Sequence, residues 1–108
     1  MSHELVEKTA GLASRVNNLA VKQSGISSRQ LLIQQDKLIK LAMVAIVQDL
    51  ECEKPAYKKA IDGLNKAIKA VENADKDITK VADAIKRVKE AIDLITKVVE
   101  VAAASACI

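Results

Sequence analysis

The chain has 108 residues, half of them apolar, yet Tyr57 is its only aromatic side chain and it holds only three glycines and one proline. That composition argues against aromatic-rich, turn-dense β-sandwiches and barrels, and it leaves an all-α domain over residues 1–108 whose core is Leu, Ile, Val and Ala. The net charge of +3 arises from 17 basic residues interleaved with 14 acidic ones, which argues against a nucleic-acid footprint of clustered Lys and Arg.

A first helix is predicted over about residues 3–24, with Ser2 as its cap and with Glu4 and Glu7 complementing the positive end of the helix dipole. Leu5, Thr9, Leu12, Val16 and Leu19 follow at spacings of four and three and make one narrow face. Gly25 is placed to take the left-handed conformation that ends a helix. Ser27 and Gln30 then form a capping box, and Ile26 and Leu31 are spaced for a hydrophobic staple, so the chain is expected to change direction here.

The second helix, about residues 28–52, is the most apolar segment. Leu31, Leu32, Ile33, Leu38, Ile39, Met43, Val44 and their apolar neighbours cover more than half of its circumference. A helix wet on one side has no need of such a surface, so packing against more than one neighbour is expected. Its longest apolar run, Leu41 to Val47, falls short of the roughly 18 residues of a membrane span. Glu51 to Lys54 form a polar connection, and Pro55 suits the first turn of the next helix because its missing N–H would be unpaired there.

From Tyr57 a heptad runs to the end of the chain. One column reads Tyr57, Leu64, Val71, Ile78, Ile85, Ile92, Val99; the other reads Ala60, Ala67, Ala74, Val81, Val88, Ile95. A neighbouring column of Gly63, Ala70, Ala84 and Ala91 would let another helix come close. Unbroken phase predicts one helix over about 55–106 and hence an antiparallel three-helix bundle with a long C-terminal helix. Its stripe beyond Ile78 would lack cover inside the chain and would require self-association or a partner protein. The alternative is an up-down-up-down four-helix bundle with a turn at 72–77, where Asn73 ends one helix and Asp75 caps the next. That arrangement covers the stripe internally and brings Cys52 and Cys107 to the same end.

Site chemistry is sparse. His3 sits at an exposed terminus without the shielded surroundings a general base needs. Glu51 and Glu53 would raise the Cys52 thiol pKa, and Cys52 and Cys107 have no metal-ligand spacing. The sequence has no phosphate-binding Gly-rich loop, nucleophile elbow, HExxH or paired CxxC. No catalytic residue, metal or cofactor is therefore expected. The N-terminus lacks a secretory pattern, which points to the cytoplasm with leaderless secretion left open. The function expected is a non-enzymatic interaction module that binds itself or a partner protein through Leu64, Val71, Ile78, Val81, Ile85, Val88, Ile92, Ile95 and Val99. Two alternatives stand beside it. One is a membrane-active helical protein, such as a component of an α-helical pore-forming toxin, although Trp and Phe anchors are missing. The other is a small inhibitor or immunity-type protein.

Overall fold

The heptad that begins at Tyr57 is divided between two helices. A computed structural model describes residues 4–48 and 55–105. It contains α1 (Glu4–Val21), α2 (Gly25–Gln48), α3 (Pro55–Lys76) and α4 (Val81–Ser105), with a 3-10 turn over Ile78–Lys80 leading into α4. The long helix expected over 55–106 is thus corrected to two, and the four-helix alternative is the one that forms.

Asp77 makes the break. It leaves the helical region (φ −145°, ψ 105°), and its carboxylate accepts from the Thr79 backbone N–H at 3.0 Å and from the Thr79 hydroxyl at 2.7 Å. The Asp77 N–H still donates to the Asn73 carbonyl at 3.0 Å and closes α3 behind it. One residue thereby ends one helix and caps the next turn, a role that falls two positions later than the expected Asp75. The Thr79 hydroxyl, then its N–H, hold the Asp77 carboxyl below its ordinary 3.8, because both bonds favour the ionised form.

At the first turn Gly25 has φ 66°, the left-handed conformation expected of it. The helix restarts at Gly25 itself, earlier than the capping box implied. Ser28, rather than Ser27, reaches back across the turn, its hydroxyl donating to the Ala20 carbonyl at 3.1 Å. Ile26 is 74% exposed instead of packing down as a staple.

Cross-links fix the relative directions. Lys8 Nζ donates to Asn65 Oδ1 at 2.7 Å, Arg15 lies 3.6 Å from Glu72, and Lys22 Nζ meets Asp75 at 2.6 Å. Both residue numbers rise together, so α1 and α3 are parallel. Gln34 Nε2 donates to the Ile85 carbonyl at 2.9 Å, while Ser27 and Gln30 share a groove with Ile78 and Val81, so α2 and α4 are parallel too. The molecule is therefore two antiparallel hairpins, α1–α2 and α3–α4, laid side by side. Each helix touches two others along its length; α1 and α4 are diagonal, as are α2 and α3.

Leu5, Leu12, Val16 and Leu19 of α1 meet Leu31 and Leu38 of α2, Leu64 and Val71 of α3, and Val88, Ile95 and Val98 of α4 in one core. Thr9 also lies on α1's buried face. Its hydroxyl donates to the Leu5 carbonyl at 2.6 Å, which satisfies it within its own helix. The small column works as expected between α3 and α4. At Gly63 an added Cβ would lie 2.7 Å from Leu94 Cδ1 and 3.8 Å from the Ala91 Cα. His3, Cys52 and Cys107, and with them the expected cysteine neighbourhood, lie outside the described residues.

Candidate interaction surface

Most of the heptad seam lies inside the bundle. Leu64, Val71, Val81, Val88, Ile92 and Ile95 are buried, Ile85 and Val99 are half-buried, and Ile78 alone of the nine stands well out, at 71% exposed. On α4 the innermost line is Val81, Ala84, Val88, Ala91, Ile95 and Val98. It takes one expected column and pairs it with the small-residue column, which turns Ile85 and Val99 toward the flank. The stripe that would have needed outside cover on a long helix is covered by α2 and α3.

The apolar surplus is found on α2 instead. Leu31, Gln34, Leu38, Ala42 and Ala45 face inward, whereas Leu32, Ile33, Ile39, Met43 and Val44 are 39–60% exposed. The cause lies in where the helix sits. Apolar nearly all round, α2 occupies a corner with α1 on one side and α4 on the other, and nothing among the described residues covers its third side. At about 100° per residue, Arg29, Ile33, Asp36, Lys40 and Met43 run along the middle of this outer face, with Leu32 and Ile39 on one flank and Val44 and Ile26 on the other. Asp36 Oδ2 and Lys40 Nζ are 2.8 Å apart within this row. The hydrogen bond to Asp36, and then its charge, hold the Lys40 ammonium above its ordinary 10.5.

No protein family, curated protein or solved structure matches the chain. Its own residues carry the argument. Among the described residues no three His, Cys, Asp or Glu side chains are grouped to hold a metal ion, and no helix is long and apolar enough to cross a membrane. The cleft between α1 and α3 is lined by Arg15, Asn18, Glu72 and Asp75, of which Arg15 pairs with Glu72 and Asp75 with Lys22.

One buried polar residue escaped the sequence reading. Gln34 is 9% exposed; its Nε2 serves the Ile85 carbonyl, but its Oε1 has no hydrogen-bond partner. The available signal was its spacing of three from Leu31 and four from Leu38, which places a polar group on the inward line. The Ile85 carbonyl lies mid-helix and has its own intrahelical donor, so removing the amide leaves nothing unpaired. Gln34→Met is therefore expected to raise stability by about 1 kcal/mol in urea unfolding. A less stable variant would mean that Oε1 is satisfied after all.

Proposed function

We propose that this chain is a helical interaction module that docks onto another macromolecular surface through the outer face of α2. The observation that carries the reading is the row of large aliphatic side chains along that face. Single exposed apolar residues are ordinary on any protein, but Leu32, Ile33, Ile39, Met43 and Val44 gathered on one helix face around the Asp36–Lys40 pair are the usual mark of a binding surface. The fold has no use for it, because the core is complete without those side chains. Leu64, Val71, Val81, Val88, Ile92 and Ile95 of the expected seam lie in that core, and the outer face of α2 takes over as the contact surface. The reading is of a binding protein and not of an enzyme.

A second reading has its own support. Lys37 borders the apolar row and Arg29 and Lys40 stand within it, a set of cations that also suits a helix lying against an anionic membrane. Asp36 in the middle of the row opposes it, since its carboxylate would enter the acyl layer beside the aliphatic groups. A small inhibitor or immunity-type protein would use the face in the same manner as any other interaction module.

One experiment separates these. A photo-activatable residue at position 43, on the outer face of α2, is compared with one at position 66, an exposed site on α3, in the cells that make the protein. The proposal expects protein adducts from position 43 and none from 66. Lipid adducts from 43 would transfer the face to the membrane reading, and no adduct at all from 43 would remove the docking role. The mass of a protein adduct identifies what is bound.

A further inference from the structure

We infer that the occupant of this face is a second copy of the chain, docked antiparallel about a two-fold axis that passes through the middle of α2's outer surface opposite Leu38. The inference rests on the docking role proposed for α2. Leu38 points into the core, so the centre of the outer face lies diametrically opposite it. Asp36 and Lys40 stand two residues before and two after that point, one on each side of the midline.

An interface built on a two-fold axis must be complementary to itself. Here it is. Reversing the second copy sets Asp36 against Lys40 of that copy and Lys40 against its Asp36. The same reversal sets Ile33 against Met43 in both directions, and it turns each flank of the face, Leu32 with Ile39 on one side and Val44 with Ile26 on the other, toward the same flank of the second copy. A parallel copy would face Asp36 with Asp36 and Lys40 with Lys40, at a cost for each like-charged contact. The spacing of Ile33, Asp36, Lys40 and Met43 is three, four, three, the repeat with which two helices interlock along a seam.

The ion pair seen within α2 does not stand in the way. Both of its side chains are well exposed, 72% for Lys40 and 63% for Asp36, so each is free to exchange its partner for one across the axis. The stretch symmetric about the axis, Leu32 to Val44, spans about 18 Å of helix. Such a contact falls at the small end of specific interfaces, so reversible association in the micromolar range is expected rather than an obligate dimer. This matches a bundle whose core is already closed in one chain.

Sedimentation of the purified chain at tens of micromolar is the test. The wild type is expected to show a reversible monomer–dimer equilibrium. D36K puts lysine against lysine at both contacts, and K40D puts aspartate against aspartate. Each is expected to weaken dimerisation by about ten-fold or more. An equimolar mixture of the two variants, and the net-charge-neutral double reversal D36K/K40D, are expected to restore it. Circular dichroism controls for folding, which these exposed sites leave unchanged. A wild type that stays monomeric overturns the inference, as does a dimer that neither single variant weakens or that the mixture and the double reversal fail to recover. A monomeric wild type that nonetheless cross-links a different protein from position 43 removes the second copy as occupant and leaves the docking role standing. If position 43 yields no adduct as well, both fall.

Discussion

Leu64→Ala is expected to lower the unfolding free energy by about 2–5 kcal/mol while leaving the association state unchanged. Leu64 is fully buried on α3, and the residues one turn away on the same face, Ala60 and Ala67, are small and also fully buried. Neither has atoms to move into the space that a lost isobutyl group leaves. The cavity term is therefore expected near the upper part of the range for such truncations. The variant also tells apart the two roles the heptad could have. If the seam were an intermolecular contact, truncating Leu64 would alter sedimentation first and intrinsic stability second. As a core residue it does the reverse. Urea unfolding followed by circular dichroism, paired with sedimentation, measures both. A loss below about 0.5 kcal/mol, as for an ordinary surface site, would remove Leu64 from the core.

At Gly63 two effects of opposite sign meet, and size decides between them. In mid-helix Gly→Ala gains about 1 kcal/mol of helix propensity. Against this, the added Cβ comes within 2.7 Å of Leu94 Cδ1, the far end of a half-buried and flexible side chain that can turn aside. Gly63→Ala is therefore expected to be close to neutral. Gly63→Leu is different, because its branch must also pass the Ala91 backbone, whose Cα already lies 3.8 Å from the Cβ position. Backbone in a packed helix does not yield cheaply, and overpacking of this kind costs about 1–3 kcal/mol. Thermal unfolding of both variants and of Gly63→Leu combined with Leu94→Ala checks the account. The double variant should recover part of the loss by returning volume to the α3–α4 contact; no recovery would place the clash elsewhere.

The parts of the fold that sequence reasoning reached are those set within one helix or one turn. The face of α1 through Leu5, Thr9, Leu12, Val16 and Leu19 is buried throughout, because a three-four spacing leaves an isolated amphipathic helix only one way to turn. Gly25 took its left-handed conformation for an equally local reason. The break at Asp77 stood only in the alternative, a turn at 72–77, because Val71 and Ile78 keep the seven-residue spacing across it. That continuity is coincidental, since Ile78 is 71% exposed. The informative pattern is Asp77 followed two residues later by Thr79, an N-cap with its amide partner, set inside a repeat that accounts for the segment by periodicity alone.

The candidate surface depended on information that no single helix contains. The apolar excess of α2 was visible in the sequence, and so was the need for more than one neighbour. Which third of its circumference would remain uncovered depends on α1 and α4 being the two that flank it. That choice follows from how the hairpins lie beside each other. Only once Leu31 and Leu38 are known to point inward do Asp36 and Lys40 become the middle of an outer face.

The pairing of helices that follow one another along the chain also bears on how the molecule comes to be folded. α1 closes on α2, and α3 on α4, each through a turn of only a few residues, so either half can zip up without waiting for distant segments. Contacts so near in sequence carry little loop-closure penalty and form within microseconds to milliseconds. The contacts that remain, α1 with α3 and α2 with α4, join segments far apart along the chain and carry most of the loop-closure cost.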